Sequence, residues 1–380
     1  MHLIKTAPTL ATFAELGIKE AFIKALQENN IETPSEIQKK VIPVVLRAKT
    51  DLIAQAQTGT GKTAAFGLPL LQSVDPNNAQ IQALVLAPTR ELCQQIAKQL
   101  FKFTKHGEKI FTTAVFGGAN IDEQVRSLQR PTQILVATPG RLIDLLERKA
   151  LVLTHIQTIV LDEADEMLSM GFKKELDTIL QQTNGHRNTW LFSATMPKGI
   201  KEIIDSYMAP HAPNISIDSK NIVNKDIEHL FVLCEDPAKL KTLLSFLTSQ
   251  GSSRGVIFCR TKSGAHTLAQ QLKSKNIAAE AIHGDLMQKE RDKVMRAFKN
   301  ESLQILIATD LAARGIDVEG LSYVVHYNLP DQLEYYTHRS GRTARAGKKG
   351  ISLIFANSKE VPRIKEIEKA LHISIQRVKD

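Results

Sequence analysis

Short apolar segments alternate with segments of helical periodicity along most of the chain. The segments Ala83–Leu86, Ile134–Ala137, Thr158–Leu161 and Gln304–Ala308 are almost continuously apolar. Such runs are typical of parallel strands that crossover helices cover on both faces. The pattern therefore predicts an α/β fold with parallel sheets flanked by helices.

A chain of 380 residues is longer than one hydrophobic core usually supports. Between Met208 and Lys225 the sequence is rich in Pro, Asn, Ser and Asp, and strand and helix patterns resume at Ile227. We expect a first domain at 1–207, a linker at 208–225 and a second domain at 226–380.

The net charge of +9 favours a polyanionic partner, although a solvated basic surface explains it equally well.

Cys93, Cys234 and Cys259 lie far apart in the sequence, which indicates neither a disulfide framework nor a zinc site. No apolar run approaches the roughly 18 residues of a membrane span, and no signal peptide is evident. We therefore expect a cytoplasmic protein with no membrane partner.

A phosphate-binding loop is the first chemical motif. The segment Ala56–Thr63 follows an apolar strand candidate at Asp51–Ala54 and precedes a helical pattern, as a P-loop requires. Backbone N–H groups of such a loop surround phosphate oxygens, the lysine neutralises the β and γ phosphates, and the hydroxyl that follows ligates Mg²⁺. The nucleotide-binding residues are then Thr58, Gly59, Thr60, Gly61, Lys62 and Thr63.

An acidic motif, Asp162-Glu163-Ala164-Asp165, follows the apolar run Thr158–Leu161. By itself such a cluster is more often the first turn of a helix, where carboxylates suit the dipole. Together with the P-loop it indicates catalysis: Asp162 would hold Mg²⁺ through water, and Glu163 would orient and deprotonate the attacking water.

These motifs belong to a longer ordered set. The set also includes Thr33–Gln38, Pro88–Leu92, Gly117-Gly118, Thr138–Arg141, Ser193–Thr195, Ile257–Thr261, Gln288-x-x-Arg291, Ala308–Asp317 and His338–Arg345. In this order and over nearly the whole chain, the sequence resembles the DEAD-box RNA helicase family. The resemblance implies two RecA-like lobes joined by a short flexible linker, with ATP and Mg²⁺ bound in the cleft between them.

Near the first of these motifs the resemblance assigns adenine recognition to Gln38, whose amide both donates and accepts, as adenine N6 and N7 require. It also assigns Phe13 to the upstream aromatic of the motif, although an ordinary core aromatic is an equally good interpretation. Asn30 and Ile31 stand where the family usually has Gly-Phe. Because Ile31 cannot stack on adenine as an aromatic ring does, we expect weaker nucleotide affinity than is usual for the family.

In the second half, Arg342 and Arg345 resemble the arginine fingers that reach the γ-phosphate. Their spacing predicts that both lie on one helix face. Ala344 replaces the usual glycine between them, a departure that matters if this position requires a positive φ. Asp317 resembles the ribose-contacting aspartate, and His338 a residue that links the γ-phosphate side to the first lobe.

The Ser-Ala-Thr motif has two interpretations. Ser193 and Thr195 resemble a coupling motif that hydrogen-bonds Asp165 and relays the closed state to the RNA side. Local capping at a strand end is the alternative.

The resemblance also implies an RNA surface on both lobes. Its residues are Thr89, Arg90, Gly118, Thr138 and Arg141 in the first half and Arg260, Gln288, Arg291 and Thr309 in the second. Hydroxyls, arginines and a glycine suit phosphates and 2′-hydroxyls, so we expect sequence-independent and salt-dependent binding. Outside their motifs, Arg90 and Arg141 would be ordinary surface or ion-pair arginines.

The resemblance therefore implies an ATP-dependent RNA helicase that unwinds short duplexes or remodels RNA–protein complexes, and we expect a monomer by default. An RNA clamp that ATP latches without productive unwinding is an alternative, because clamps and unwinders share these residues. A DNA-directed motor is a second alternative, and a preference for DNA over RNA would distinguish it from an RNA helicase.

Overall fold

The computed structural model describes residues 11–57, 59–183, 187–217, 226–313, 321–344 and 349–378. The chain forms two units, and the first ends at Ile217. The expected end of the first domain at residue 207 is therefore wrong. The segment Asn214–Ser216 still belongs to the first unit, because it pairs in parallel with the strand Leu52–Gln55. This short strand is polar and partly exposed at the sheet edge, which is why its sequence resembles a linker.

The first unit contains a parallel sheet in the order β3-β4-β2-β5-β6-β1-β7. Its strands are β1 (Leu52–Gln55), β2 (Ala83–Leu86), β3 (Thr112–Val115), β4 (Ile134–Ala137), β5 (Thr158–Leu161), β6 (Asn188–Ser193) and β7 (Asn214–Ser216). Its helices are α1 (Glu20–Glu28), α2 (Glu36–Arg47), α3 (Lys62–Ser73), α4 (Arg90–Phe103), α5 (Ile121–Leu128), α6 (Pro139–Glu147), α7 (Ala164–Ser169), α8 (Lys173–Gln182) and α9 (Lys198–Tyr207).

The second unit repeats this architecture in the order β10-β11-β9-β12-β13-β8-β14. Its strands are β8 (Ile227–Leu233), β9 (Gly255–Phe258), β10 (Ala279–Ile282), β11 (Ile305–Ala308), β12 (Tyr323–His326), β13 (Gly350–Ala356) and β14 (Gln376–Val378). Its helices are α10 (Lys239–Gln250), α11 (Lys262–Lys273), α12 (Gln288–Lys299), α13 (Asp310–Ala313), α14 (Leu333–Ser340) and α15 (Val361–Leu371).

The continuous apolar runs are explained by burial on both sheet faces. In β2, Ala83 and Val85 pack into one core cluster, while Leu84 and Leu86 pack into the cluster on the opposite face. Successive side chains of a strand point to opposite faces, so a sheet covered on both sides needs an apolar residue at every position. The predicted α/β fold with two parallel sheets is confirmed.

All strand pairings within each sheet are parallel, so the carboxyl ends of the strands lie along one edge. The predicted site residues from Gly59 to Thr195 lie at the carboxyl ends of β1 to β6, whereas Phe13, Ile31 and Gln38 precede β1. Open parallel sheets bind ligands at this edge. Among the described helices, none is long and apolar enough to cross a membrane.

Candidate functional site

The phosphate-binding loop connects β1 to α3, as predicted. Gly59 and Gly61 have φ of 80° and 90°, a left-handed conformation that costs a glycine little. Helix α3 begins at Lys62, so its positive N-terminus points toward the loop. Thr58 lies outside the described residues. Gly59, Gly61 and the start of α3 therefore have the conformation expected of a phosphate-binding loop.

The start of α2 supports this loop. The Ser35 hydroxyl donates to Thr60 O at 2.8 Å, and Gln38 Nε2 donates to Gly61 O at 3.0 Å. Gln38 Oε1 in turn accepts from Ser35 N at 2.9 Å. A Cβ atom on Gly61 would lie 2.4 Å from Gln38 Nε2, so only glycine permits this approach.

The amide of Gln38 keeps capacity for a further partner. Its NH₂ group has a second hydrogen and its oxygen a second lone pair beyond the two bonds described. The structure therefore adds a loop-supporting contact that the sequence analysis did not anticipate. Adenine recognition by Gln38 stays a prediction.

Phe13 and Ile31 pack in the same core cluster as apolar residues of α2, but they differ in exposure. Phe13 is buried in the core of the first unit. Ile31 is half-buried and packs against the edge of the same core. Asn30 has φ of 58°, which explains why a glycine suits this position and why asparagine is tolerated.

The acidic motif begins at the carboxyl end of β5. Asp162 is 3% exposed, and burial raises its pKa to about 7, an effect that the nearby Lys62 opposes. The Lys62 ammonium is itself buried and donates to Ala56 O at 3.1 Å. A buried ammonium group and a buried carboxyl group thus lie near each other at this site.

Glu163 has a strained backbone. Its φ and ψ are both 50°, and its N–H donates to Asp162 Oδ1 at 3.0 Å. A left-handed residue other than glycine costs roughly 1–2 kcal/mol and is common at functional sites. Helix α7 begins at the next residue, so the carboxylates also occupy a helix N-terminus, as the alternative interpretation of the motif required.

Hydrogen bonds connect the acidic motif to the Ser-Ala-Thr motif and to the phosphate loop. Asp165 Oδ2 accepts from Thr195 N and Thr195 Oγ1, both at 2.8 Å. The Ser193 hydroxyl accepts from Asp165 N at 3.3 Å, and Ser193 O accepts from Ala56 N at 3.0 Å. The three motifs therefore form one bonded group, which the coupling interpretation requires.

The predicted RNA residues of the first unit lie together beyond β2, β3 and β4. The Arg90 guanidinium lies 4.8 Å from the centre of the Phe116 ring. Thr138 Oγ1 accepts from Gly117 N at 3.3 Å, and Arg141 Nη2 donates to Ala119 O at 3.1 Å.

Thr89 caps α4 by accepting from Leu92 N at 3.3 Å, and Gly118 has φ of 76°. Arg141 is only 9% exposed, so it supports the loop around Gly118 in addition to any contact with a ligand.

Phe116 was missed by sequence reasoning. An aromatic directly before Gly117-Gly118 was its only signal.

The RNA residues predicted in the second unit follow three neighbouring strands, β10, β11 and β9. Arg291 Nη2 donates to Ala312 O at 2.7 Å, which ties α12 to the short helix after Thr309. Gln288 Nε2 donates to Asp292 Oδ1 at 2.8 Å. Arg260 is exposed, and its N–H donates to Asn328 Oδ1 at 3.0 Å.

The prediction that Arg342 and Arg345 lie on one face of a helix is wrong, because Arg342 is not in a helix. Helix α14 ends at Ser340 with Gly341 as its cap, so Arg342 lies beyond the helix while His338 lies in its last turn. Ala344 has φ of 55°, which confirms that this position requires a left-handed backbone. That backbone cannot continue a helix. Arg345 and Asp317 lie outside the described residues.

Arg339 and Asp310, which adjoin the predicted site residues His338 and Thr309, form an ion pair that the sequence did not predict. Arg339 is 3% exposed and donates to Asp310, the residue that follows Thr309. Its guanidinium carbon also lies 5.0 Å from the centre of the Phe258 ring. Both residues belong to motifs quoted above, but spacing alone does not show that they meet.

Comparisons with known proteins agree with this geometry. The DEAD/DEAH box helicase family matches residues 35–203, and the helicase conserved C-terminal domain matches residues 238–347. The ATP-dependent RNA helicase CshA of Listeria monocytogenes is 42% identical over 360 residues, which cover 94% of this chain and 68% of that protein. The DEAD-box ATP-dependent RNA helicase CshA of Geobacillus kaustophilus is 40% identical over 97% of this chain and 79% of its own length.

Solved structures give the same result. Dbp5 of S. cerevisiae, bound to RNA and ADP BeF3, is 32% identical with a TM-score of 0.89, covering 97% of this chain and 95% of that chain. Mss116p bound to ssRNA and AMP-PNP is 28% identical with a TM-score of 0.88, covering 99% of this chain and 81% of that chain.

Proposed function

This chain belongs to the DEAD-box helicase family, and we propose that it is an RNA-stimulated ATPase that unwinds short RNA duplexes or remodels RNA–protein complexes. The observation that carries the proposal is the buried Asp162 with the buried Lys62 near it and Glu163 next to it in the sequence. This arrangement suits hydrolysis of a nucleoside triphosphate to the diphosphate and phosphate.

The phosphate loop fits the triphosphate. Left-handed Gly59 and Gly61 leave room for the backbone N–H groups to turn toward phosphate oxygens, and Lys62 supplies a positive charge. The buried Asp162 carboxyl, whose pKa burial raises, is suited to a cation that favours its charged form. Thr63 and Asp162 are the residues that would hold Mg²⁺, partly through water, and the ion would neutralise phosphate charge.

Glu163 would orient the attacking water and accept its proton. The hydrogen bond from Glu163 N to Asp162 Oδ1 fixes the Asp162 carboxyl group against the backbone of Glu163. General-base catalysis of this kind contributes roughly 10² to 10⁴ in rate. Loss of the carboxylate at Glu163 should therefore remove hydrolysis while leaving the phosphate loop intact.

The bonded group of Ala56, Asp165, Ser193 and Thr195 supports a coupling role. A ligand that moves the phosphate loop also shifts Ser193 and, through it, the acidic motif. We assign to this group the transfer of nucleotide state to the RNA-contacting segments. The Arg342 and Arg345 guanidinium groups would add positive charge at the γ-phosphate when ATP is bound.

RNA would be held through its backbone. Thr89, Arg90, Gly118, Thr138 and Arg141 offer a hydroxyl, a guanidinium or a close backbone approach, which suit phosphates and 2′-hydroxyls. Arg260, Gln288, Arg291 and Thr309 supply the same chemistry in the second unit. By linkage, RNA must favour ATP binding to the same degree that ATP favours RNA binding.

The test is steady-state ATP hydrolysis by the full chain without nucleic acid, with single-stranded RNA, and with DNA of the same length. We expect stimulation by RNA alone and its loss in Glu163→Gln. Equal stimulation by DNA would favour a DNA-directed motor, and no stimulation by either would contradict the proposal.

A strand-displacement assay with a short RNA duplex tests the unwinding step. An unwinding enzyme releases the strand only with ATP, and Glu163→Gln releases none in multiple turnover. A protein that binds RNA with ATP dependence but releases no strand would be a clamp.

A further inference from the structure

Helix α12 carries a row of exposed positive charges on its outer face. Lys289, Lys293 and Arg296 are exposed and spaced at i, i+4 and i+7, so they share one side of the helix. We call these three residues the basic stripe. With a rise of about 1.5 Å per residue, the stripe spans roughly 10 Å along the helix.

The opposite side of α12 anchors the helix to the sheet. Phe298 is fully buried, and Val294, Met295 and Ala297 pack against the same core cluster. The basic stripe therefore points away from the sheet and does not pack in the hydrophobic core. Its charges are available to a partner in solution.

The acidic residues of α12 do not neutralise the stripe. Glu290 Oε2 accepts from Met287 N at 3.0 Å, which caps the helix, and Asp292 Oδ1 accepts from Gln288 Nε2 at 2.8 Å. Among the described residues, no ion pair involves Lys289 or Lys293. Arg296 Nε donates to a main-chain oxygen of its own helix, Asp292 O, at 3.4 Å, and it has no ion pair with another residue that the structure describes.

Other exposed lysines of the second unit show the contrast. Lys262 pairs with Asp285 at 2.5 Å, Lys273 with Glu280 at 2.6 Å and Lys365 with Glu368 at 2.7 Å. Three neighbouring cations that have no carboxylate partner within the described part of the second unit repel one another, so the stripe favours an anionic partner.

The position of the stripe indicates which anion this is. Helix α12 begins just after β10, at the carboxyl edge of the sheet, with Gln288 and Arg291 in its first turn. Arg291 is bonded to the helix after Thr309. The stripe starts at this proposed RNA-contacting edge and leads away from it along the sheet face.

We infer that the basic stripe binds the phosphate backbone of RNA that leaves the contact edge on the side of Gln288, and so extends the RNA site beyond the residues of the family motifs. The inference rests on the proposed function, because it needs RNA at that edge. Phosphate contacts carry no base code, so the extension is independent of sequence.

The experiment compares three single-stranded RNAs that share one central segment: the segment alone, and the segment extended at the 5′ or the 3′ end. Binding to the full chain is measured by fluorescence polarisation with AMP-PNP at several salt concentrations. Because the stripe lies on one side of the edge, only one extension should strengthen binding. For three phosphates the extension should steepen the salt slope by about 2 and gain on the order of 10- to 100-fold in affinity at about 0.1 M salt.

The variant Lys289→Gln, Lys293→Gln, Arg296→Gln should lose this gain and the added slope. The matched control is Lys241→Gln, Lys275→Gln, Lys369→Gln, which removes three exposed charges from α10, the end of α11 and α15 and should keep the gain. Far-UV circular dichroism confirms that both variants fold.

The outcomes are separable. If the native protein binds none of the RNAs, the proposed function fails. If it binds the central segment but gains nothing from either extension, or if the stripe variant keeps the gain, the inference is overturned and the proposed function stands. An equal loss in stripe variant and control would also overturn it, because net charge alone would then explain the effect.

Discussion

Arg339 donates from Nε and Nη2 to the two carboxylate oxygens of Asp310, at 2.5 and 2.7 Å. Arg339 Nη1 also donates to Asn328 O at 2.9 Å. The pair joins α14, which precedes Arg342, to the residue that follows Thr309. One buried interaction thus connects a proposed nucleotide-contacting segment to a proposed RNA-contacting segment within the second unit.

We expect Asp310→Asn to destabilise the second unit by about 3–5 kcal/mol, because it leaves a buried guanidinium without its anion. Trp190 is the only tryptophan and lies in the first unit, so its fluorescence reports that unit, while circular dichroism reports both. Urea unfolding should show a lower transition by circular dichroism and an unchanged one by fluorescence. Asp331→Asn, at an exposed pair, should change stability by under about 1 kcal/mol. Equal effects of the two substitutions would contradict the prediction.

The backbone strain at Glu163 predicts a reversal of the usual order of Ala and Gly. Glu163→Gly should be more stable than Glu163→Ala by about 1 kcal/mol, because glycine adopts the left-handed conformation without steric cost. Both variants should lack ATP hydrolysis. Urea unfolding followed by Trp190 fluorescence gives the comparison.

The control for this prediction is Glu202, which is exposed in the interior of α9. There Glu202→Gly should be less stable than Glu202→Ala by about 1 kcal/mol. The same order at both positions would show that Glu163 carries no strain.

Two buried histidines predict acid sensitivity of the second unit. Burial lowers the pKa of His229 to about 4 and that of His326 well below its ordinary value. Both contact Tyr336: His229 Nδ1 lies 2.6 Å from its hydroxyl, and the His326 ring stacks on it at 4.8 Å. The folded state excludes protons that the unfolded state binds below its pKa of 6.5, so stability is full above that pH and falls as pH falls.

For His229 alone the loss between pH 6.5 and 4 amounts to about 3 kcal/mol. We expect His229→Gln to flatten this part of the pH dependence of urea unfolding, measured by circular dichroism. His266→Gln, at an exposed position of α11, should leave the dependence unchanged. An unaltered curve in His229→Gln would refute the assignment.

Replacement of Ile31 tests the expected weakness of nucleotide binding. Ile31→Phe should bind ATP more tightly by about 0.5–1.5 kcal/mol, or up to about tenfold, because an aromatic ring can stack on adenine. Ile31→Leu keeps the aliphatic contact and should bind like the native chain. Equilibrium titration with AMP-PNP is the measurement, and no gain in Ile31→Phe would disprove the hypothesis.

Local sequence determined the elements and the motifs. Apolar residues at every position of β2 and β4 are expected in a sheet that is covered on both faces, so the strand sequences indicated the fold class. The glycines at 59 and 61 and the lysine after them specify a phosphate loop because few other residues fit that backbone. At Ala344 the family's glycine raised the question of a positive φ, and the structure answers it with a φ of 55°.

Tertiary structure decided which of these residues meet. Arg339 and Asp310 are 29 positions apart, and Ser193 and Asp165 are 28 apart, so only the order of strands in the sheet brings each pair together. Gln38 contacts the phosphate loop because α2 packs beside it, and β7 joins the first sheet although its residues look like a linker. Side-chain type and spacing are local properties of the chain, whereas proximity depends on packing that no short segment encodes.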